Sequence, residues 1–400
     1  MKNSRLEKPF QDTENLLFDV SGGGLISILL RRFNLPLLRW QQAVALLCIA
    51  WLPLAVMTIV DGTFYKGVSM PFITDYSRQG RLLLGVPLMI LIHDLVYERM
   101  PVVLEYMANV MMTPEDRERF IQGPLRKAKR RNNAMWMQVI LLLIIAGVAL
   151  SPMGGARFLD VNAAADSWIV STHQGPGVLS MAGKWMEYVS IPVFQFLVFR
   201  WLWRYATWVV LVYRISRFQL KLRPTHPDGA GGLGILILAQ RGFSFVFFVC
   251  GMVISSNMVA LFTQHQVSFD VVKLEILAFV LLSLIMIFSP LLFFTRRLIW
   301  AKYLGHLYLG KAGVNASERF EDEWVSQLSA GKTKPEGVVD ASDQADFTNV
   351  YRYLQDLSVV PFRMGDLIQI SLVLFLPFIP VFFMHYSVAE LLEKIVGVLL

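Results

Sequence analysis

The sequence predicts an all-α fold, a polytopic transmembrane helical bundle of about seven spans with its N-terminus in the cytoplasm. Hydrophobic residues make up 55% of the 400 residues and charged residues only 17%, a composition typical of a membrane protein. The hydrophobic residues are concentrated in separate runs of about 20 residues, the length that an α-helix needs to cross a bilayer. Because these runs show no alternation with a period of two, a helical bundle is favoured over a barrel.

The runs divide the chain into five parts. These are a cytoplasmic N-terminal segment (1–39), a transmembrane bundle (40–295), a cytoplasmic arm (296–366), a seventh span (367–387) and a short tail (388–400). Within the first part, 24–38 is apolar but interrupted by charges, which indicates an interfacial helix. The spans of the bundle are predicted at about 40–60, 82–97, 134–152, 187–213, 243–262 and 274–295.

Lys and Arg are distributed unequally between the two sides of this layout. The side that holds the N-terminus has 28 of them in its loops, and the other side has 7. The positive-inside rule therefore places the N-terminus in the cytoplasm and the C-terminus outside. The same asymmetry explains the net charge of +7, so no nucleic-acid partner is predicted.

The arm is predicted to contain two helices joined by a linker. Asn315 and Glu318 have the spacing of a helix N-cap and the third residue after it, so a helix is expected to begin there. The stretch 331–346 has the composition of a flexible linker, and helical spacing returns over 347–359. The arm is interpreted either as a segment that binds a soluble partner or as a solvated connector.

Two arginines interrupt the fourth apolar run. Arg200 and Arg204 are four residues apart and therefore share one helical face, and a charge at that depth is costly unless it faces protein or water. Asp94 in the second run lies at a comparable depth, beside His93. The sequence thus predicts an intramembrane charge cluster of these four residues, with Asp94 paired to one of the two arginines. The cluster is either a gate or ion-path element or a pair that orients two helices.

Further polar residues are predicted in the outer halves of the spans. Gln195, Ser256 and Asn257 could line a polar path that leads inward to Arg200 and Asp94. Small polar side chains of this kind are also ordinary contacts between membrane helices, and both interpretations stay open.

A glycine-rich loop follows the fourth run. Its predicted site consists of His226 and Asp228 together with the glycines Gly229, Gly231, Gly232 and Gly234. Asp228 could cap the next helix, and successive N–H groups of the glycines could form an anion-binding nest. Alternatives are a half-helix over 231–240 that dips back into the membrane, and a tight turn between packed helices. Two potential ligands are too few for a metal site, so no metal, cofactor or catalytic residue is assigned.

The loop also carries a resemblance. Its segment from Leu222 to Gly234, which contains the string His-Pro-Asp-Gly-Ala-Gly-Gly-Leu-Gly, resembles a loop of uncharacterised bacterial multi-pass inner-membrane proteins. The resemblance covers this loop and the general layout. It implies a bacterial cytoplasmic membrane and carries no known activity.

Three functional hypotheses follow. The first is a channel or transporter for a small ion or solute, which requires a water-accessible path joining Gln195, Arg200 and Asp94. The second is a membrane-embedded enzyme acting through His226 and Asp228, which requires further titratable groups such as His306 or Asp366 to converge on His226. The third is a sensor or scaffold that binds a soluble partner through an ordered arm. The lipid bilayer is the predicted surrounding, and homo-oligomer formation stays open.

Overall fold

The computed structural model of the chain describes residues 38–150, 167–170, 178–265, 268–331 and 341–385. These residues form long helices, and within them no β-strand occurs beyond isolated bridges. The long helices are α1 Arg39–Val60, α2 Tyr76–Met111, α3 Pro114–Leu150, α4 Ile191–Ile215, α5 Leu236–His265, α6 Phe269–Phe320, α7 Ala341–Gln355 and α8 Met364–His385. The predicted all-α bundle is confirmed.

Six helices in the described ranges are long and apolar enough to cross a membrane: α1, α2, α3, α5, α6 and α8. The chain is therefore a multi-pass membrane protein. Helix α4 is the predicted fourth span. Its 25 residues extend over about 38 Å, which is sufficient for a crossing, but Arg200 and Arg204 lower its hydropathy.

Backbone contacts show that α4 spans the same thickness as α2. On one side, Lys221 after α4 is hydrogen-bonded to Met111 at the end of α2. On the other side, Ser180 before α4 is bonded to Ile169, and the neighbouring Trp168 is bonded to Met70 before α2. The contacts are Lys221 N to Met111 O (2.7 Å), Ser180 N to Ile169 O (2.7 Å) and Trp168 N to Met70 O (3.3 Å). Since α2 is long and apolar enough to cross, these contacts indicate that α4 crosses as well and in the same direction. Among the described residues this gives seven crossings, in line with the prediction of about seven.

Helix α5 lies at the centre of the bundle and packs against α2, α6 and α8, while α1 and α4 pack against α2. Close approach between α2 and α5 depends on small residues. A Cβ on Gly80 would lie 1.9 Å from Ser256 Oγ, and a Cβ on Gly242 would lie 3.1 Å from the Cα of Val96. Glycine at both positions thus allows the two helices to approach closely, as is common between membrane helices.

Helix ends differ from the predicted span ends. Helix α2 extends well beyond 82–97 at both ends, and α6 continues for 52 residues from the membrane into the predicted arm. The predicted helix start at Asn315 is wrong, because Asn315 lies inside α6. Residues 341–346 of the predicted linker are helical. The predicted interfacial helix over 24–38 and the tail over 388–400 lie outside the described residues, except for Leu38.

Candidate functional site

The predicted charge cluster lies where α1, α2 and α4 meet. Arg39 is the first residue of α1, and His93 and Asp94 lie near the end of the apolar half of α2. Arg200 and Arg204 lie near the middle of α4. Because α1 runs antiparallel to α2 along its length, the start of α1 reaches the level of Asp94.

The structure pairs Asp94 with Arg39, not with Arg200 or Arg204 as the sequence predicts. Asp94 Oδ1 lies 3.5 Å from Arg39 Nε and 3.2 Å from His93 Nδ1. The side chains of Asp94 and Arg39 are 50% and 34% exposed. Comparing depth along α2 and α4 alone missed this partner, because Arg39 was assigned to the N-terminal segment.

Arg204 is held by aromatic rings. It is only 4% exposed, and its guanidinium carbon lies 5.0 Å from the ring centroid of Tyr97 and 5.3 Å from that of Trp201. Both distances are within the range of a cation–π interaction. Trp201 is fixed in turn by a hydrogen bond from its Nε1 to the carbonyl oxygen of Met89 (2.7 Å). Arg204 therefore has a well-defined position between α2 and α4.

A small cavity lies between the residues of the cluster. It has a volume of about 20 Å³, enough for one water-sized species. Arg39, His93, Arg200 and Arg204 all line it. Among the described residues of this lining there are three arginines and no carboxylate. Asp94 contacts Arg39 from beside the lining, so the charges named here sum to a net positive value, which is suited to an anion.

The residues of the predicted polar path do not line this cavity. Gln195, Ser256 and Asn257 are absent from the lining described above. Ser256 instead borders a separate cavity of about 360 Å³ between α2, α5 and α8, and Asn257 accepts a hydrogen bond from Ser77 Oγ (2.9 Å). Ser256 donates to the carbonyl of Val253 and packs against Gly80. Its contacts are those of an interhelical packing residue.

The glycine loop is built around the carboxylate of Asp228. Oδ1 accepts from the N–H of Ala230 (2.9 Å), Oδ2 accepts from that of Gly234 (2.9 Å), and both oxygens lie within 3.1 Å of the Gly232 nitrogen. His226 Nδ1 lies 2.8 Å from Oδ1 and 3.3 Å from the backbone nitrogen of Asp228. The predicted anion-binding nest thus exists, but its anion is the side chain of Asp228, which corrects the prediction of an external ligand at these groups.

These contacts set the acidity of Asp228. Burial raises the pKa of its carboxyl group, but the backbone N–H donors and His226 lower it by more, so the pKa lies below its ordinary value. The carboxylate is therefore ionised over the whole physiological range.

The loop is also hydrogen-bonded to the segment that leads into α8. Arg363 donates to the carbonyl oxygens of Asp228 (3.0 Å) and Pro227 (2.8 Å), and Ser358 N donates to the carbonyl of Gly229 (2.9 Å). These bonds tie the start of α8 to the loop. The predicted half-helix over 231–240 is wrong, because Leu236 begins the continuous helix α5.

Three loop residues have positive φ values, which explains why they are glycines. Gly229, Gly231 and Gly232 have φ of 61°, 64° and 97°, a region that side chains disfavour. A Cβ on Gly232 would also lie 2.9 Å from Met111 Sδ. The turn interpretation of the loop therefore agrees with its geometry.

The groups that the enzyme hypothesis requires have other partners. His306 Nδ1 lies 3.2 Å from the hydroxyl of Tyr351, and Asp366 Oδ1 accepts from Arg241 (2.6 Å). In the described part of the chain, no group of three or more His, Cys, Asp and Glu residues could hold a metal ion.

Sequence reasoning missed another ion pair, which is more deeply buried and lies near the opposite end of α2. Asp75 is 1% exposed and lies 2.5 Å from Arg78, and it accepts from Trp168 Nε1 (3.0 Å). The pair closes that end of α2 over a buried tryptophan. Its only signal in the sequence is a charged pair three residues apart beside the second apolar run.

No protein-family model matches the chain, and no curated protein or solved structure is significantly similar to it. The chemistry of the arginine cavity therefore provides the basis for a functional proposal.

Proposed function

We propose that this protein is a transporter or gated channel for a small anion or anionic solute in the cytoplasmic membrane of a bacterium. The bacterial setting rests on the resemblance of the glycine loop, and the orientation rests on the distribution of Lys and Arg. The choice of an anion rests on the cavity that Arg39, Arg200 and Arg204 line.

The observation that carries the proposal is the convergence of three arginines inside a membrane bundle. Arginines within a span are costly on insertion scales, and Arg204 is only 4% exposed. Two of them occur on one face of α4, and both reach the same cavity as Arg39. An anion that enters the cavity interacts favourably with all three, which gives this costly arrangement a use.

Asp94 provides a means of gating. Arg39 is the arginine that Asp94 contacts, and both side chains are partly exposed. An arriving anion competes with the Asp94 carboxylate for Arg39, whereas Arg204 stays fixed on Tyr97 and Trp201. Because the cavity holds only one water-sized species, the proposal requires α1, α2 and α4 to move apart before a larger anion can pass.

The proposal is tested by anion flux into liposomes that contain the purified full chain. We expect chloride, nitrate or acetate flux from the wild type, and its loss in Arg204→Gln. Asp94→Asn removes the competing carboxylate and is expected to lower the anion concentration that gives half-maximal flux. Lys66→Gln, an exposed charge in the loop before α2, is the matched control and is expected to leave flux unchanged.

Two outcomes contradict the proposal: no flux from the wild type for any of these anions, or wild-type flux from folded Arg204→Gln. Cation flux that persists in Arg204→Gln would contradict the assignment of an anion. Elution volume and melting temperature in detergent establish that each variant is folded.

A second candidate function is the binding of a soluble partner through the arm. The observation that favours it is that the arm is helical and packed, with α7 lying against the outer part of α6. Lys302 Nζ donates to the carbonyl of Leu357 (2.7 Å), and Tyr351 contacts His306. Capture of a specific protein by the wild type, lost when α7 is deleted, would support this candidate if no flux is found.

A further inference from the structure

A wide groove lies on the side of the bundle that carries most of the Lys and Arg residues. Its walls are the end of α4, the connection over 216–225 and the part of α6 that begins near Phe293. The groove has a volume of about 1420 Å³, far more than the arginine cavity. Since the apolar run of α6 ends at Phe294, just before Arg296 and Arg297, the groove lies at the level of the membrane surface.

The groove is strongly basic. Arg217, Arg223, Arg296 and Arg297 line it, and among its described lining residues there is no carboxylate. Arg217 and Arg297 are close enough for their charges to repel each other. Asp116 lies nearby and offsets part of this repulsion.

Asp116 and Arg297 each have a further partner in the structure. Asp116 lies 3.8 Å from Arg119 and accepts from the backbone N–H of Gln219 (3.3 Å). Arg297 donates to the carbonyl of Phe218. Four arginines against one shared carboxylate leave the groove with a net positive charge.

Beside the arginines, the groove has an apolar and aromatic wall that is exposed. Phe293, Ile299, Trp300 and Tyr308 are 40% to 69% exposed and line it. Trp300 stacks on Tyr303, with ring centroids 5.5 Å apart. Tryptophan and tyrosine are enriched at the level of lipid headgroups, so this wall is suited to contact lipid.

We propose that the groove binds an anionic phospholipid of the cytoplasmic leaflet. The phosphate lies among Arg217, Arg296 and Arg297, and an acyl chain follows the wall of Phe293 and Trp300. Basic pockets between helices on the cytoplasmic side are suited to anionic headgroups. The apolar wall selects a lipid over a soluble phosphate, because a headgroup alone leaves that wall exposed to water. This site is independent of the arginine cavity and of the proposed transport.

The first test compares lipids on the wild type and needs no variant. Native mass spectrometry of the full chain in a neutral detergent is carried out with equal amounts of phosphatidylglycerol and phosphatidylcholine. We expect phosphatidylglycerol to be retained in preference, and glycerol 3-phosphate at the same concentration not to displace it. Equal retention of the two lipids, or full displacement by glycerol 3-phosphate, overturns the proposal.

The second test places the lipid in the groove. Near an anionic lipid each arginine changes affinity roughly fivefold, so Arg296→Gln/Arg297→Gln is expected to weaken phosphatidylglycerol binding about thirtyfold. Trp300→Ser is expected to weaken it as well. Arg126→Gln/Arg130→Gln removes two exposed charges on the same side, outside the groove, and is the matched control. A loss in this control equal to that in the groove variant indicates unspecific attraction and overturns the assignment.

Discussion

At the residue scale, Asp228 shows how a loop can satisfy its own binding groups. The glycine pattern correctly predicts a nest of N–H donors, and the sequence also predicts Asp228 as a cap. The sequence could not show that the carboxylate of Asp228 itself binds the N–H groups of the nest. That depends on φ values which bring the N–H groups of Gly232 and Gly234 back to a side chain several residues earlier.

Replacing Asp228 tests this internal contact. Asp228→Asn keeps the shape but removes the charge that three backbone donors and His226 contact, and we expect a loss of about 2 kcal/mol of stability at pH 7, since hydrogen bonds to a charged group are strong. A carboxyl group with a lowered pKa stabilises the fold above its unfolded value and loses this contribution as the pH falls through the folded value. The difference from wild type should therefore shrink below the ordinary pKa of 3.8.

Melting temperatures in detergent between pH 3 and 7 measure this difference. Asp322→Asn changes an exposed residue just after the end of α6. It is the control and is expected to change little. A destabilisation by Asp228→Asn that stays constant down to pH 3 would contradict the role of the charge.

Gly232 gives a second prediction at this scale. Gly232→Ala places a Cβ at φ 97° and 2.9 Å from Met111 Sδ, so we expect a loss of about 2 kcal/mol from backbone strain alone. Gly310→Ala is the matched control, since Gly310 lies inside α6 with open space around it and alanine favours the helix by about 0.5–1 kcal/mol. The two variants should thus shift the melting temperature in opposite directions, and equal shifts would contradict the strain.

At the scale of elements, the sequence locates the helices but not their ends. Hydropathy identifies the part of each helix that lies in lipid, as in α2 and α6. The polar continuations have no such signal, because packing against other elements determines them. Helix α6 stays helical past Asn315, where the sequence suggests a start, since α7 packs along its outer part.

Packing between helices, which the sequence does not reveal, also explains why one residue of the site was missed. His93, Arg200 and Arg204 were identified because charge in an apolar run is conspicuous, and the structure brings them to one cavity. Arg39 lies at the edge of its run, where a basic residue is ordinary. Its contact with Asp94 depends on which helices are neighbours, and hydropathy carries no information about neighbours.

Gly305 tests how α7 is attached. A Cβ on Gly305 would lie 2.6 Å from Leu354 Cδ1 and 3.1 Å from Pro224, so Gly305→Ala is expected to loosen α7 from α6 without unfolding the bundle. Hydrogen exchange over 341–355 should increase about fivefold, equivalent to roughly 1 kcal/mol of local stability. Gly310→Ala, one turn and a half further along, should leave exchange in 341–355 unchanged. Unchanged exchange in Gly305→Ala would contradict the tight contact.

At the scale of the whole molecule, the number of crossings depends on α4. Among the described helices, six are long and apolar enough to be identified as spans from these two properties alone. Helix α4, which the hydrophobic runs of the sequence also predict as a span, is less apolar because it contains Arg200 and Arg204. The contacts that connect Lys221 with Met111, and Ser180 with the segment beside Met70, place the two ends of α4 on opposite sides. Tertiary contacts thus decide a question that hydropathy leaves open.

Cysteine labelling from each side of the membrane tests this arrangement. In a Cys48→Ser/Cys250→Ser background, Lys184→Cys before α4 and Arg217→Cys after it are exposed positions for a membrane-impermeant maleimide. We expect Lys184→Cys to react from outside, together with Lys66→Cys, and Arg217→Cys to react only from the cytoplasmic side, together with Arg130→Cys. Reaction of Lys184→Cys and Arg217→Cys from the same side would mean that α4 does not cross. The arginines would then lie at the membrane surface, where they are inexpensive, and the argument for an anion path would lose its energetic basis.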